Sequence, residues 1–296
     1  MDVLFLGTSS MVPTKERNHS SILISHGNEG ILIDCGEGTQ RQLKIAGIKL
    51  TKITRILISH WHGDHVLGLP GLIQSMVASD YNKTLYIYGP KHTKALIKKL
   101  LGVFAFNNRL DIKVQEITSG RFFENNNLSL ESSPLKHGIE TLGYSLTEKN
   151  RRRINLSYVK KGGIPQGPLL GKLQEGKRVK WKGKAINLDK ATNIVKGKKL
   201  TIINDTLPCK GAEKLAKNSD LLICEATYSS DMEKKAANYK HMTSVQAGKL
   251  AKKSKVKQLV ITHFSSRYKN TGDLEMEAKK QFKNVTAARD FMKIVI

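Results

Sequence analysis

Short apolar runs alternate with amphipathic stretches along almost the whole chain. The runs "DVLFLG", "SSILIS", "GILIDCG", "TRILIS", "TLYIYG" and "IKVQEI", then "KLTIIND", "DLLICEAT" and "QLVITHF", are rich in aliphatic and β-branched residues, and each predicts a strand. Between them, "TQRQLKIAG", "KHTKALIKKLLG" and "TSVQAGKLAKKSK" carry apolar residues at helical spacing. The first strands are joined by turns as short as "HGNEG", which predicts an antiparallel start, whereas later strands follow helices. This mixture predicts an α/β chain of mixed sheets covered by helices, not one purely parallel doubly wound sheet.

One segment interrupts the pattern. Residues 149–184, "KNRRRINLSYVKKGGIPQGPLLGKLQEGKRVKWKGK", hold 12 Lys or Arg, a single acid (Glu175), six Gly and two Pro. Its apolar periodicity is too thin to predict a core of its own, so it reads as a flexible basic arm inserted into a single domain spanning 1–296. Alternating strands and helices resume after it, which argues against a domain boundary.

Charge then narrows the partners. Fifty Lys+Arg against 25 Asp+Glu leave a formal net charge of +25, an excess that attracts polyanions such as nucleic acid or an anionic membrane surface. A lysine-rich surface of purely compositional origin is the competing explanation. The three cysteines, Cys35, Cys209 and Cys224, form no CxxC pair and predict buried thiols in a reducing cytoplasm. No apolar segment approaches the length that crosses a bilayer, so no membrane association is expected.

The candidate chemistry gathers where strands end. After "TRILIS" comes "HWHGDH": His60 and His62 alternate along an extended segment and share a side, while Asp64 and His65 start the next helix and face a second point. That arrangement suits two adjacent metal ions. Three further runs of the same design deliver His137 ("LSLESSPLKHG"), Asp205 ("LTIINDT") and His263 ("QLVITHF"). Strand ends are where α/β proteins collect ligands from distant sequence, and one carboxylate, such as Asp205, can bridge two metals.

"HWHGDH" matches the HxHxDH motif of the metallo-β-lactamase superfamily, with His137, Asp205 and His263 following in that family's order. The resemblance implies an αββα sandwich. Within the superfamily the chain resembles ribonuclease Z, the endonuclease that trims the 3′ end of precursor tRNA. "VPTKERN" is similar to that family's PxKxRN loop, "KHMTS", "CEATY" and "THFSSRY" to further signatures, and "GIPQGPLLGKLQEG" to its tRNA-gripping arm. Asn204 stands where that family usually has glycine, and asparagine tolerates the left-handed backbone such a turn would use.

The resemblance implies two zinc ions per subunit, one held by His60, His62 and His137, the other by Asp64, His65 and His263, with Asp205 bridging. Water activated between the ions would attack the scissile phosphorus, leaving a 3′-hydroxyl on the tRNA and a 5′-phosphate on the trailer. It further implies Asp64 as proton acceptor and His241 as donor to the leaving oxygen, with Glu225 orienting it. The competing reading of His241 is a residue that merely precedes a helix capped by Thr243 and Gln246. Lys15, Arg17 and Asn18 of the loop, and Arg151, Arg152, Arg153, Lys160, Lys161 and Lys172 of the arm, would contact RNA. His19 would line the site beside Asn18, while His26 and His92 read as surface or turn residues. The implied partners are precursor tRNA and a second subunit in a homodimer. A small-molecule hydrolase and an RNA-binding protein with structural metals remain open on the residues alone.

Overall fold

The computed structural model describes residues 1–105 and 109–296. The apolar runs become strands, six of them in the first half: β1 (Asp2–Gly7), β2 (Ser21–His26), β3 (Glu29–Ile33), β4 (Arg55–Leu57) and β5 (Leu85–Gly89), mostly buried on both faces, and the more exposed edge strand β6 (Ile112–Glu116). Next come β7 (Gly120–Glu124), β8 (Leu128–Pro134) and β9 (Leu142–Glu148), then the short β10 (Arg151–Ile154), β11 (Lys180–Trp181), β12 (Lys184–Ala185) and β13 (Thr192–Val195). The chain finishes with β14 (Lys199–Ile203), β15 (Leu221–Glu225), β16 (Gln258–Thr262), β17 (Val285–Ala287) and β18 (Lys293–Val295).

Two seven-stranded sheets result, ordered β18-β1-β2-β3-β4-β5-β6 and β17-β16-β15-β14-β9-β8-β7. As expected from the short turns, β1, β2 and β3 pair antiparallel, while β3 to β6 pair parallel. The period of two decides which residue goes where. Val3, Phe5, Ile22, Ile24, Ile31 and Ile33 point between the sheets, meeting Leu130, Tyr144, Leu200, Ile202, Ile223 and Val260. Their neighbours Leu4, Leu6, Leu23 and Leu32 face outward onto the helices Thr39–Ile45, Leu69–Ala78 and Thr93–Gly102. On the far side Ile203, Leu222, Cys224 and Ile261 pack against the helices Lys210–Ala216, Ser244–Lys253 and Gly272–Lys279. The layers are therefore helix, sheet, sheet, helix, the αββα arrangement.

The inserted segment differs from its expectation in extent and order. It does not end at residue 184: β10 and β13 pair in register from Arg151 with Val195 to Ile154 with Thr192, closing a stem at 195. Above that stem, Leu173, Val179 and Ala191 are buried with Ile154, Tyr158, Leu169, Leu170, Ile186 and Leu188 packed on them, so the segment has a small core of its own. Three of those residues, Ile186, Leu188 and Ala191, lie beyond the stretch 149–184, which is why that stretch alone looked too poor in apolar groups.

The sheets are also tied directly. Tyr144 of β9 is buried in the inter-sheet core, and its hydroxyl donates to Ile58 O, just past β4, at 2.6 Å. Tyr144→Phe leaves that carbonyl unpaired and is expected to cost ~1–3 kcal/mol of unfolding free energy. Tyr144→Ala adds a large cavity and is expected to cost ~3–5 kcal/mol. Urea unfolding of the chelator-treated variants measures both, and equal losses would put the whole effect in the hydroxyl.

Candidate metal centre and cleft

The strands place their polar successors at one end of the sandwich. Asp34 follows β3, His60 and His62 follow β4, Asp64 and His65 lie in the turn of helix Gly63–Val66, and His137 follows β8. From the second half, Asp205 follows β14, Glu225 ends β15 and His263 follows β16. Close backbone packing seats this end: a Cβ at Gly68 would lie 2.1 Å from Gly36 O, so the turn carrying His65 approaches the segment after β3 only because position 68 is glycine.

All seven sequence-predicted ligands come together. His60, His62, His137 and Asp205 form one cluster and Asp64, His65, Asp205 and His263 a second, with the ligand atoms of each cluster within 4.8 Å of one another. Asp205 is shared with one oxygen to each side: Oδ2 lies 3.6 Å from His60 Nε2 and 3.8 Å from His137 Nε2, while Oδ1 lies 3.5 Å from His65 Nε2 and 3.2 Å from His263 Nε2. Asp64 Oδ2 completes the second cluster, 3.3 Å from His65 Nε2 and 3.4 Å from His263 Nε2.

Hydrogen bonds outside the clusters fix which ring nitrogen faces inward. Asp34 Oδ2 lies 2.7 Å from His65 Nδ1 and accepts from Ser59 Oγ at 2.8 Å, so His65 Nδ1 carries a proton. Ser59 Oγ, its own proton given to Asp34, accepts from His60 Nδ1 at 2.9 Å. Thr227 Oγ1 donates to Glu225 Oε2 at 2.6 Å and therefore accepts from His263 Nδ1 at 3.0 Å. His137 Nδ1 donates to Lys240 O at 2.9 Å. Four histidines thus turn their Nε2 atoms inward, while His62 presents Nδ1, 3.0 Å from His60 Nε2 and 3.2 Å from His137 Nε2. Outer carboxylates and hydroxyls that set the tautomer of an imidazole are the usual second layer of a metal site.

Electrostatics and satisfaction agree with a cationic occupant. Burial and the neighbouring imidazole of His65 hold His60 well below the usual histidine range, and burial with His137 lowers His62, so both remain neutral donors. Although burial works the other way, the imidazoles of His263, His65 and His241 hold Asp205 ionised, well below the carboxylate range. Burial likewise opposes ionisation of Asp64, yet His65 and His263 lower its pKa. Three buried atoms pointing into the clusters, His65 Nε2, Asp64 Oδ1 and Asp205 Oδ1, make no hydrogen bond. Such atoms are costly unless something else satisfies them, and neutral imidazoles with carboxylates are the donor set of zinc and related ions. The residues therefore fit two metal ions.

A third group, Glu225, His241 and His263, has the same residue types but different chemistry. Both Glu225 oxygens are occupied, Oε1 by Thr206 N at 2.6 Å and Oε2 by the Thr227 hydroxyl at 2.6 Å, and His241 Nδ1 lies 3.1 Å and 3.2 Å from them. Burial disfavours charge on His241, but Glu225 and Asp205 outweigh it and raise its pKa to about 9. Thr243 and Gln246 do form the expected capping box for helix Ser244–Lys253, so capping is done by those residues and His241 is left to the cleft.

Five of the cluster residues, His62, Asp64, His137, Asp205 and His263, line the floor of a cleft of about 640 Å³ whose walls include Met11, Tyr228, Lys235, Tyr239, His241 and Arg267. A groove of about 670 Å³ elsewhere, along residues 40–51 and 75–79, is lined by no histidine, cysteine or carboxylate.

The RNA-binding expectations divide. Lys15 is exposed. Arg17 is buried, and its Nη2 donates to Tyr268 O at 2.7 Å; it braces the loop after β16 and is not available to a phosphate. Asn18 is likewise committed, its Nδ2 donating to Glu37 O at 2.8 Å and its backbone N–H to Asp290 Oδ2 at 2.8 Å. His19 does not line the cleft: it is buried, with Nε2 3.0 Å from Met11 O. In the inserted module Arg151, Arg153, Lys160, Lys161 and Lys172 are exposed, while Arg152 is half-buried and donates to Thr192 Oγ1 at 3.0 Å.

Sequence reasoning missed Asp34, Ser59 and Thr227, which orient ligands without being ligands. The signal for Asp34 was present, a polar residue closing the apolar run "GILIDCG" as Asp205 closes its own. It also missed Asp290, which accepts from Thr8 Oγ1, Asn18 N and Gln42 Nε2 to anchor the loop beside the cleft, its carboxyl pushed up to about 6 by burial. Asn204 corrects a further expectation: its backbone is not left-handed, whereas Asp34 (φ 57°) and His263 (φ 61°) are.

Comparison with known proteins places this geometry. Residues 1–156 match the family model described as anti-Pycsar protein Apyc1, a match that stops near the base of the inserted module. Relatives named ribonuclease Z match over the full length. The protein of Methanothermobacter thermautotrophicus is 39% identical over 297 residues, covering 100% of this chain and 97% of its own. That of Bacillus velezensis is 38% identical, covering 100% and 99%. The crystal structure of human tRNase Z, short form, superposes with a TM-score of 0.74 at 28% identity, covering 100% of this chain and 99% of that one. With both sheets, the inserted module and the clustered ligands inside that full-length match, this chain belongs to the ribonuclease Z family and has the metallo-β-lactamase fold.

Proposed function

We infer that this chain is a zinc-dependent endoribonuclease that removes the 3′ trailer from precursor tRNA, leaving a 3′-hydroxyl on the tRNA and a 5′-phosphate on the trailer. The observation that carries the reading is the pair of four-ligand clusters sharing Asp205 on the floor of an open cleft, in a ribonuclease Z family chain. Two zinc ions per subunit fit the histidine-rich donor set, and when bound they lower the pKa of water and offset charge developing on the phosphate oxygens.

The protein's own residues supply the proton chemistry. Asp64 uses Oδ2 toward His65 and His263 and keeps Oδ1 unpartnered, so Oδ1 is the atom that takes the proton of the attacking water. His241 keeps its proton at neutral pH because Glu225 and Asp205 stabilise the imidazolium. With Nδ1 turned to Glu225, Nε2 is the atom that hands a proton to the leaving 3′ oxygen. Glu225, itself fixed by Thr206 N and Thr227, orients that ring.

Substrate is gripped through charge and shape. The exposed Arg151, Arg153, Lys160, Lys161 and Lys172 of the module suit the phosphates of a folded RNA, and Lys15 suits the strand near the metals. As the family resemblance implies, the protein acts as a homodimer in which one subunit's module holds tRNA bound at its partner's cleft. Among the described residues no helix is long and apolar enough to cross a membrane, and the thiols of Cys35, Cys209 and Cys224 are unpaired, which supports a reducing, cytoplasmic setting.

Four outcomes follow. His62→Ala lowers the zinc content of one site and Asp205→Ala that of both, measured by elemental analysis after dialysis; equal losses break the bridging assignment. His241→Ala slows single-turnover cleavage of a precursor tRNA by ~10²–10⁴ with zinc content unchanged, and an unchanged rate removes it as donor. Lys15→Ala raises KM and lowers the slope of log affinity against log salt by about 1, whereas Arg17→Ala lowers the melting temperature. Replacing residues 155–191 by a short turn abolishes precursor cleavage but keeps hydrolysis of bis(p-nitrophenyl) phosphate. Mixing that variant with Asp205→Ala protein restores cleavage if the module acts across the dimer; an enzyme of small phosphodiesters would cut no precursor in any of these forms.

A further inference from the structure

The carboxylate of Asp34 is the most heavily engaged acceptor beside the metal clusters, and the clusters do not contain it. Its Oδ1 accepts from Ser59 N at 2.7 Å, and its Oδ2 accepts from Ser59 Oγ, from His65 Nδ1 and, at 2.7 Å, from the side-chain amide Nδ2 of Asn204. The first three donors come from the segment after β4, in the same sheet as β3, which delivers Asp34. Asn204 comes from the other sheet, just past β14, and immediately precedes Asp205.

We propose that Asn204 is a positioning residue of the metal centre, pinning Asp34 across the gap between the sheets and thereby holding His65 and Asp205 in mutual register. Asn204 is buried, and its Oδ1 has no hydrogen-bond partner. Turning the amide over would set that oxygen against the Asp34 carboxylate, where two acceptors repel, so the donor faces Asp34 and the oxygen is left unpaired. A buried amide with one end unsatisfied is a cost that packing alone would remove by substituting a smaller residue. Asp34 itself sits at φ 57°, a left-handed backbone that aspartate tolerates better than most residues, so the direction of its carboxylate is constrained by the bonds it accepts. The bond from Asn204 is the part of that constraint that crosses between sheets. Through it, Asp34 aims His65 Nε2 at Asp205 Oδ1, 3.5 Å away, and the residue next to Asp205 is fixed by the same contact.

The inference rests on the two-metal reading, and zinc affinity tests it with a readout other than activity. Wild-type, Asn204→Ala, Asn204→Gly, Asp34→Asn and Asp34→Asn/Asn204→Ala proteins are loaded with zinc and titrated with a chelating indicator, and the melting of each is followed in excess chelator. Second-layer contacts of this kind are worth ~10–100-fold in metal affinity. Asn204→Ala and Asn204→Gly are expected to weaken one of two zinc sites by that factor while the metal-free protein still melts cooperatively. In the Asp34→Asn background, Asn204→Ala should add little, because its target has already been removed. Wild-type affinity in both single Asn204 variants, or the same loss with and without Asp34, overturns the inference. Two zinc ions in the wild type alongside unaffected Asn204 variants overturn it alone; no zinc in the wild type overturns the two-metal reading with it.

Discussion

Five imidazoles and two carboxylates are drawn into two clusters joined by Asp205, with ring nitrogens 3.0 Å and 3.2 Å apart and the Asp205 oxygens facing opposite ways. Acceptors at that density repel one another and leave buried atoms unpaired, so a fold that assembles them has to hold each one against that repulsion until cations satisfy them. Much of the surrounding architecture answers that demand. Ser59, Asp34, Thr227 and the Lys240 carbonyl each take up the outer nitrogen of a histidine, and none contributes a ligand atom to the clusters.

Two sheets are needed for this arrangement, not one. His60, His62, Asp64 and His65 arrive from the ends of the first sheet, while His137, Asp205 and His263 arrive from the second. The inter-sheet core sets their separation, and direct bonds between the sheets, Tyr144 to Ile58 in the core and Asn204 to Asp34 at the rim, keep the two ligand sets in step. At this end Asp34 and His263 both adopt left-handed backbone, a conformation held by the bonds their neighbours make.

The layered fold and the residues of the two clusters were legible in sequence for one physical reason. Strands buried on both faces leave long aliphatic runs, and a His or Asp just past such a run, as in "TRILISH" or "KLTIIND", is conspicuous against them. What was not legible depends on which way side chains turn. Arg17 looks like a phosphate ligand in "PTKER" but is buried against Tyr268 O, and nothing local distinguishes a guanidinium pointing inward from one pointing out. Asn204 was expected to serve through its backbone and serves through its amide. The inserted module was misjudged because its core is assembled from residues spread between Ile154 and Ala191, too dispersed to register as a periodic stretch.

Family membership, a cleft with a two-cluster floor and a buried Glu225–His241 pair meet in one account, in which Asp205 joins two metal ions across the sheet junction. Anomalous diffraction at the zinc absorption edge from crystals of the zinc-loaded protein tests it most directly. The account predicts two peaks on either side of the Asp205 carboxylate, one bonded to His60, His62 and His137 and the other to Asp64, His65 and His263. A single peak, or two peaks of which either lacks a bond to Asp205, would contradict it.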